Sequence, residues 1–304
     1  MNYLIIGAGG IGGCLGAYMA AAGLDVAFVA RGGQQKALKE KGITVRLPAG
    51  ELIESGPVEA FDSDEVKKKY DVILVCVKGY SLDSIVPAIR AAAHEKSVVI
   101  PILNALNAGA RLRAALTGLC VLGGCVYLSA YVSAPGEIIQ CSSMVRIVFG
   151  EEEGLPPPPG LLEALGKELE SAGIDGIHSK SVRRDIFKKF AFTSAFVGVA
   201  ARYDLNAGSL RENQNYRSLY IEFLAELEKI GRAMGIDPGS DFIGENLRIL
   251  HTLLPETTAS MQKDIKAGKL SEMDELLFDV DRLAVSLKVE APQYRRAAQY
   301  FRSL

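Results

Sequence analysis

Short, continuously apolar runs alternate with helix-like segments in the first part of the chain. The clearest runs are Asn2–Ile6, Val26–Ala30, Asp71–Val77 and Ser97–Leu103. Runs without polar alternation are typical of strands that are buried on both faces of a parallel sheet. The segments between them are long enough for the helices that connect parallel strands. The pattern therefore predicts an α/β domain built on a parallel sheet.

Further helices and shorter strands complete this first part. Helices are predicted at Gln34–Lys41, near Ser63–Lys69, and at Leu82–Ala93, Ala108–Ala115 and Leu161–Ala172. Strand-like runs lie at Ile43–Leu47, Leu52–Glu54, Leu119–Ala130, Ile138–Cys141, Val145–Phe149 and Ile174–Ile177. We expect the runs between Leu119 and Phe149 to form an antiparallel extension that closes the sheet. Pro156–Pro159 predicts a surface loop, because four successive prolines preclude a helix or a central strand.

The pattern changes to helices after residue 180. They are predicted at Arg183–Val199, Tyr216–Met234, Phe242–Leu254, Ser260–Ala267, Glu272–Leu287 and Pro292–Phe301. A chain of 304 residues also exceeds the usual size of one domain. We therefore predict an α/β domain of residues 1–180 and an all-helical domain of residues 181–304. An active site in the cleft between them is the expected arrangement.

Composition and charge exclude several classes of protein. Hydrophobic residues make up 49% of the chain and charged residues 23%, which excludes a disordered protein. The formal net charge of −2 gives no electrostatic footprint for nucleic acid or an anionic membrane. No apolar run reaches the roughly 20 residues of a membrane span, and no basic leader precedes the first strand. We expect a cytoplasmic protein that acts on a small molecule; its long helices allow a homodimer without requiring one.

The cysteines and histidines do not form a metal-binding pattern. The five cysteines are scattered and form no CxxC pair, and none of the three histidines lies near another His or Cys in sequence. We expect buried, reduced thiols, with neither a metal site nor a disulfide framework.

A glycine-rich turn, Gly7-Ala8-Gly9-Gly10-Ile11-Gly12, follows the first predicted strand and precedes a helix of small residues. In a GxGxxG motif, Gly7 permits the tight turn, Gly9 lets a pyrophosphate approach the backbone, and Gly12 lets the helix pack close to the strand. The phosphates lie at the helix N-terminus, where unpaired N–H groups and the helix dipole favour anions. Glycine-rich turns are common, but the strand–turn–helix context predicts a Rossmann-type dinucleotide-binding domain. Its predicted cofactor contacts are Gly7, Gly9, Gly10, Ile11 and Gly12.

Arg31 indicates which dinucleotide binds. The second strand of NAD-binding units usually ends in Asp or Glu, which holds the ribose hydroxyls, whereas Arg there suits the additional phosphate of NADP. Asp25 is acidic, but it begins the second strand and so lies at the end far from the ribose. The alternative is that Arg31 is an ordinary solvated loop residue. We favour NADP as the cofactor.

Lys78 and Asn104 follow two of the buried strands. In an open α/β sheet, ligands gather at the carboxyl ends of the strands. Lys78 is therefore placed to meet a phosphate, a ribose or a substrate carboxylate, and the Asn104 amide could hold the nicotinamide or the substrate. The alternative for Asn104 is a loop-capping side chain.

The helix that begins at Arg183 carries adjacent lysines, Lys188 and Lys189, among apolar residues. Helical spacing puts Lys189 on one face with Thr193 and Phe196. Adjacent lysines usually form only a solvated helix edge. A lysine at the rim of an apolar cleft, in contrast, can serve as a proton donor, because desolvation and a neighbouring positive charge both lower a lysine pKa.

Several longer motifs make the chain similar to the ketopantoate reductase (2-dehydropantoate 2-reductase) family over nearly its full length. They are Gly7–Gly12, Ala30–Gly32, Val77-Lys78, Asn104, Asp185–Phe190, Thr258–Ile265 and Ser271–Asp274. The Ser-Met-x-x-Asp sequence that begins at Ser260, followed by Glu272, is distinctive. The resemblance implies NADPH-dependent reduction of ketopantoate to pantoate, a step toward pantothenate and coenzyme A.

The resemblance also implies a role for each candidate residue. The family's catalytic lysine follows an aromatic-x-Lys pattern, which selects Lys189 over Lys188. Lys189 would hydrogen-bond the 2-oxo oxygen, stabilise its developing negative charge and supply the proton. Glu272 would orient the lysine or the substrate hydroxyl. The other implied contacts are Ser260 with the substrate carboxylate, Thr193 with the substrate, Asn104 with substrate and nicotinamide, and Arg31 and Lys78 with the cofactor.

Taken alone, two of these residues have simpler interpretations. Glu272 would be an exposed acid at a helix N-terminus, where the helix dipole favours it. Ser260 would be a helix cap.

The chain departs from the family pattern near the implied substrate. Ala105 stands where the family usually has Gly, and Leu277-Phe278 stand where Asn-Gly is common. Thr193 replaces a substrate-binding Asn of many members, and Val197 replaces another polar residue. Each lost amide would weaken the binding of a hydroxyl-bearing substrate by about 1–3 kcal/mol. Two alternatives therefore remain: a reductase of another 2-oxo acid, and an NADP-binding protein without catalysis.

Overall fold

The computed structural model describes residues 1–303. Its internal contacts divide the chain into two compact units. The first unit contains residues 1–103 and 107–182, and the second contains residues 104–106 together with the described residues from Arg183 onward. The short segment Asn104–Leu106 therefore belongs to the second unit, although the chain on both sides of it belongs to the first.

The strands are numbered in chain order. They are β1 (Asn2–Ile6), β2 (Asp25–Val29), β3 (Thr44–Arg46), β4 (Leu52–Glu54), β5 (Glu59–Phe61), β6 (Tyr70–Val75), β7 (Ala93–Pro101), β8 (Cys120–Val121), β9 (Gly123–Tyr127), β10 (Ala130–Ala134), β11 (Glu137–Gln140), β12 (Arg146–Gly150) and β13 (Asp175–His178). The helices of the first unit are α1 (Gly10–Ala21), α2 (Gly32–Glu40), α3 (Val86–Ala92), α4 (Ala108–Ala115) and α5 (Leu161–Ser171).

A six-stranded sheet forms the centre of the first unit, in the order β5-β2-β1-β6-β7-β8. Every neighbouring pair in it is parallel. Because β1 lies between β2 and β6, the strand order reverses beside β1. Ligands of open α/β sheets bind outside the carboxyl ends of the strands at such a switch point. The central strands are buried along nearly their whole length, as their unbroken apolar sequences predict.

The later strands do not close this sheet, so that prediction is wrong. Only β8 joins the main sheet, while β10-β11-β3-β4 and β13-β12-β9 form two smaller sheets. Apolar runs identify strands, but they do not identify which strand pairs with which. Here β11 pairs in parallel with β3, from much earlier in the chain, in addition to its antiparallel neighbour β10.

Two helix predictions in the first unit also need correction. Ser63–Lys69 forms turns and not a helix, because Val66 is the single buried residue of the segment and no apolar face exists to pack. The predicted helix Leu82–Ala93 begins later, at Val86, after two short 3₁₀ turns. Pro87 lies in the first turn of α3, where its missing N–H costs no hydrogen bond.

The second unit is helical. Its helices are α6 (Val182–Tyr203), α7 (Ala207–Glu212), α8 (Gln214–Ala233), α9 (Phe242–Thr252), α10 (Ser260–Lys266), α11 (Asp279–Ser286) and α12 (Pro292–Arg302). The helix predicted over Glu272–Leu287 is interrupted, since a π-helical turn, Asp274–Phe278, precedes α11. Sequence patterning also missed α7, which is too short for a clear periodicity. A parallel-sheet unit followed by a helical unit confirms the predicted fold class.

Three of the five thiols are buried as expected, and Cys76 is partly buried. Cys14, Cys120 and Cys125 are buried, and burial raises the pKa of Cys14 to about 12, so its thiol is neutral. Cys141, in contrast, is exposed. Among residues 1–303, no helix combines the length and apolar character that a membrane crossing requires.

Candidate functional site

The glycine turn joins β1 to α1 at the switch point of the main sheet. Gly7 has a φ of +104°, a conformation that side-chain-bearing residues rarely adopt. A Cβ added at Gly7 would lie 3.1 Å from the backbone of Cys76, and one added at Gly12 would overlap the Gly7 carbonyl oxygen. Gly7 therefore permits the turn and Gly12 permits the close approach of α1 to it.

Gly9 differs from its neighbours because the space in front of it is open. It is exposed, it is the N-cap residue of α1, and no atom lies within 4 Å of an added Cβ. Its φ of −74° suits any residue, so the local backbone does not require glycine. Open space at a helix N-terminus, beside the N–H groups of Gly10 and Ile11, fits an anionic group such as a pyrophosphate.

Gly10 has a packing role that the sequence did not reveal. An added Cβ there would overlap the backbone of Ala130 in β10. The β10 strand therefore lies directly against the start of α1. This contact requires glycine at position 10, independently of any ligand that the Gly10 N–H binds.

Arg31 and Lys78 follow the strands on either side of β1. Backbone hydrogen bonds from Gly7 N to Val29 O (3.0 Å) and from Cys76 N to Ile6 O (2.8 Å) hold the three strand ends together. Arg31 is exposed at the N-cap position of α2, and Lys78 is half-buried. The two cationic residues therefore follow the two strands that flank β1, at the edge of the sheet that carries the glycine turn.

The acidic residue of β2 lies at the other end of the strand. Asp25 begins the strand, at the opposite end from Arg31, and its carboxylate forms an ion pair with Lys68 (3.2 Å). The carboxyl end of β2 thus carries an Arg and no acid, a donor set that fits a phosphate better than ribose hydroxyls alone.

Gln34 makes a contact with the glycine turn that sequence analysis missed. Its Nε2 donates a hydrogen bond to the carbonyl oxygen of Ala8 (2.9 Å), and its Oε1 accepts one from the N–H of Gly136 (3.0 Å). Gly136 lies in the turn between β10 and β11. No motif marks Gln34; the only signal in the sequence is its position one turn after Arg31.

Asn104 belongs to the second unit and contacts Lys189 there. The preceding strand, β7, ends at Pro101 and not at Leu103 as predicted, so Asn104 lies beyond the strand. The Nζ of Lys189 donates a hydrogen bond to the Oδ1 of Asn104, and both side chains are half-buried. Two residues that are far apart in sequence are therefore brought together within the helical unit.

The adjacent lysines of α6 have different partners. Lys188 forms an ion pair with Glu245 of α9. Lys189 instead meets the neutral amide of Asn104. Lys188 therefore has the structural role that is usual for a lysine on a helix edge.

The turn of α6 that follows Lys189 is mostly apolar and mostly buried. Thr193 donates its hydroxyl hydrogen to the backbone oxygen of Lys189 (3.1 Å), so this hydrogen is used within the helix. The rings of Phe192 and Phe196 stack with their centroids 6.1 Å apart, and Val197 is buried. Phe196 and Val197 belong to the buried core, so Phe192 and Thr193 are the half-buried residues of this turn that a ligand could meet.

Glu272 is buried, which excludes the interpretation as an exposed helix-terminal acid. It lies two residues before the π-helical turn Asp274–Phe278. The buried hydroxyl of Ser194 joins that turn to α6 by donating to the Leu276 carbonyl oxygen (2.6 Å). A second buried acid, Glu275, lies in the turn, and desolvation together with the charge of Glu272 raises the pKa of Glu275.

Ser260 is the exposed first residue of α10, whereas the N-cap is Ala259. The interpretation of Ser260 as a helix cap is therefore wrong. Gln262 fixes the start of α10: its Oε1 accepts from Ala259 N (2.8 Å), and its Nε2 donates to Leu205 O (3.0 Å). Within residues 1–303, the His, Cys, Asp and Glu side chains form no group that could hold a metal ion.

The sequence matches an oxidoreductase family that has the same two-part organisation. The N-terminal region of the ketopantoate reductase PanE/ApbA family matches residues 3–154, and the family's C-terminal region matches residues 181–304. The chain therefore belongs to the ketopantoate reductase PanE/ApbA family.

Individual relatives cover almost the whole chain at low identity. An uncharacterized oxidoreductase of Bacillus subtilis, YkpB, is 28% identical over 292 residues, which cover 96% of this chain and 95% of the relative. The 2-dehydropantoate 2-reductase of Pyrococcus abyssi is 28% identical over 297 residues, with 96% and 94% covered. The structure of a D-mandelate dehydrogenase with NADH and anilino(oxo)acetate aligns with a TM-score of 0.89 at 18% identity, over 98% of this chain and 96% of that one. At this identity the last comparison shows a shared fold only.

Proposed function

We propose that the protein is an NADPH-dependent reductase of a 2-oxo acid, with 2-dehydropantoate as the first candidate substrate. The observation that carries the proposal is the contact between Lys189 and Asn104 in a member of the ketopantoate reductase family. A half-buried ammonium beside a neutral amide is a donor pair suited to a carbonyl oxygen that gains negative charge.

Lys189 would act on the 2-oxo oxygen. Bound NADPH would supply a hydride to the carbonyl carbon. The Lys189 ammonium would donate a hydrogen bond to the oxygen, stabilise its developing charge and transfer the proton that completes the alcohol. The Asn104 carbonyl oxygen would hold the ammonium in place, and its NH₂ group would remain available to the substrate or nicotinamide.

Three further residues would orient the substrate. Ser260, exposed at the start of α10, would donate its hydroxyl to the substrate carboxylate. Glu272 would orient Lys189 or the substrate hydroxyl from its buried position. Thr193 would contact the substrate through its methyl group and its hydroxyl oxygen.

The first unit would bind the cofactor. Its backbone at Gly7–Gly12 would receive the pyrophosphate at the N-terminus of α1. Arg31 would form charge-assisted hydrogen bonds with the 2′-phosphate that distinguishes NADPH from NADH, and Lys78 would contact the cofactor from the segment after β6.

A second candidate substrate is a 2-oxo acid with an apolar side chain. The hydroxyl hydrogen of Thr193 is occupied by Lys189 O, and Phe192, the other half-buried residue of that turn, offers no polar group to a substrate hydroxyl. A similar fold with a bound 2-oxo acid analogue that carries an aromatic group occurs in the D-mandelate dehydrogenase structure. If Glu272 orients Lys189 and not a substrate hydroxyl, the Thr193 oxygen is the one hydroxyl partner among these residues, and the site would favour the apolar acid.

A matched pair of substrates separates these candidates. 2-Dehydropantoate and 3,3-dimethyl-2-oxobutanoate differ by one hydroxyl group, and NADPH oxidation reports turnover of both. A kcat/KM ratio above about 10 in favour of 2-dehydropantoate would support the first candidate, because a site that hydrogen-bonds a hydroxyl rejects the analogue without it. A ratio near or below one would support the second. Tight NADPH binding without turnover of either acid or of phenylglyoxylate would contradict both and favour a non-catalytic NADP-binding protein.

The preference for NADPH depends on Arg31 in this proposal. Arg31→Ala should raise the Kd of NADPH about 10- to 100-fold, because a charge-assisted contact contributes about 1.5–3 kcal/mol. The Kd of NADH should change less than about twofold, since NADH has no phosphate at that position. Nicotinamide fluorescence titration measures both constants.

Lys39→Ala is the matched control for Arg31→Ala, because it removes one exposed cation from the far end of the same helix, α2. It should leave both dissociation constants unchanged. An equal loss of NADPH and NADH affinity in Arg31→Ala would remove the case for a phosphate contact.

A further inference from the structure

The side-chain amide of Gln34 bridges two backbone segments of the first unit. It donates to Ala8 O (2.9 Å) in the glycine turn and accepts from Gly136 N (3.0 Å) in the turn between β10 and β11. Both ends of the amide are thus used, and Gln34 is half-buried. An amide with its donor and its acceptor both engaged has one preferred orientation.

The bond to Ala8 fixes the orientation of a peptide plane. The carbonyl of Ala8 and the N–H of Gly9 belong to the same trans peptide, in which they point in opposite directions. When Gln34 holds the Ala8 oxygen, the Gly9 N–H is directed away from Gln34. Gly9 is the residue with open space in front of it, so this N–H belongs to the part of the turn that a pyrophosphate can approach.

The bond to Gly136 connects the same amide to the β10–β11 hairpin. That hairpin contacts the glycine turn at a second point, where Gly10 packs against the backbone of Ala130. Gly136 also packs against α2, since an added Cβ there would lie 3.1 Å from Ala37 Cβ. The glycine turn, the hairpin and the first turn of α2 therefore form one connected assembly, with Gln34 at its centre.

We propose that Gln34 is a positioning residue of the dinucleotide site, which holds the glycine turn in its binding conformation before the cofactor arrives. The proposal rests on the proposed cofactor site. A turn that is already ordered loses less conformational entropy when the ligand binds, and so binds it more tightly. Because Gln34 acts on the pyrophosphate-binding backbone common to both dinucleotides, it contributes equally to NADPH and NADH. Arg31, in contrast, would distinguish them.

Gln34→Met tests this proposal, because methionine keeps the length and approximate volume of glutamine and removes both hydrogen bonds. We expect the Kd of NADPH and the Kd of NADH to rise by the same factor, about tenfold. The KM of NADPH should rise in parallel, while kcat at saturating NADPH stays within about twofold of the wild-type value. Fluorescence titration and steady-state kinetics measure these quantities.

Gln35→Met is the matched control. Gln35 is the next residue of α2, and its amide reaches Glu65 (3.4 Å) on the surface and not the glycine turn. It should leave both constants unchanged. A lower Tm for Gln34→Met with both Kd values within twofold of those of Gln35→Met would show that Gln34 only stabilises the fold and would overturn the proposal.

Gln34→Glu provides a rescue experiment. The ionised carboxylate can accept from Gly136 but cannot donate to Ala8, whereas the protonated carboxyl can do both. We expect weakened dinucleotide binding at neutral pH and recovery as the pH falls through the pKa of the new carboxyl. A constant ratio to wild-type affinity at every pH would contradict the role assigned to the Ala8 bond. If wild-type protein binds neither dinucleotide, the proposed function itself fails, and this outcome is distinct from all of the others.

Discussion

Lys189→Met should lower kcat by about a thousandfold while the Kd of NADPH changes less than about twofold. The substitution removes the ammonium that would stabilise the developing oxyanion and supply its proton. Either contribution alone is typically worth a factor of about 10² or more, and two contributions from one group do not simply multiply. Methionine retains an unbranched apolar chain, so the packing of α6 should persist. Steady-state turnover of the preferred 2-oxo acid and fluorescence titration of NADPH measure the two effects separately.

Lys188→Met is the matched control for this prediction. It removes a neighbouring ammonium from the same helix, but one that forms an ion pair with Glu245 and not a contact with Asn104. Its kcat should stay within about threefold of the wild-type value. Comparable losses in the two variants would indicate that positive charge on α6, and not the Lys189–Asn104 pair, supports turnover. Wild-type turnover in Lys189→Met would show that another group donates the proton.

Gly9→Ala should weaken NADPH binding by about a hundredfold, or about 2.7 kcal/mol, without lowering the Tm. The fold accepts the methyl group, because Gly9 has an ordinary φ and an added Cβ meets no atom within 4 Å. The methyl group would instead occupy the space through which a pyrophosphate approaches the backbone N–H groups. NADH binding should weaken by a similar factor, since both dinucleotides share the pyrophosphate.

Substitutions of two other glycines of the first unit serve as controls for this prediction. Gly166→Ala adds a methyl group in α5, where the nearest atom, Gly176 O, is 3.7 Å away, and should change neither the Tm nor cofactor binding. Gly12→Ala should instead lower stability by about 1–3 kcal/mol, because its methyl group would overlap the Gly7 carbonyl. If Gly9→Ala binds both dinucleotides normally, the open space in front of Gly9 is not the phosphate site.

Much of the fold could be predicted because its signals are local. The unbroken apolar runs of β1, β2 and β6 identify buried strands, and helical periodicity identifies α6 and α8 to within a few residues. The small sheets could not be predicted in the same way. Pairing of β11 with β3 depends on contacts between distant parts of the chain, and an apolar run carries no record of its partner.

In the candidate site, too, some features follow from local sequence and others depend on contacts between distant parts of the chain. The spacing of Gly7, Gly9 and Gly12 by itself indicates the turn, and the position of Arg31 after β2 follows from chain order. The separate partners of Lys188 and Lys189 do not follow from chain order. Adjacent helical residues point in different directions, and the packing of distant segments decides that one meets Glu245 of α9 and the other meets Asn104 of the loop after β7. From the sequence, Lys189 is selected as the catalytic lysine only by the family resemblance, and its catalytic role stays a prediction.

The sequence by itself therefore determined the two-part organisation, the glycine turn and the presence of the lysine and arginine side chains that the proposed reduction requires. These features depend on periodicity and spacing along the chain. Only the tertiary structure decided that Asn104 meets Lys189, that Glu272 is buried, and that Gln34 bridges the glycine turn to the β10–β11 hairpin. Such contacts join residues that are distant in sequence, and a side-chain hydrogen bond forms only where the packed backbone brings its donor and acceptor within about 3 Å.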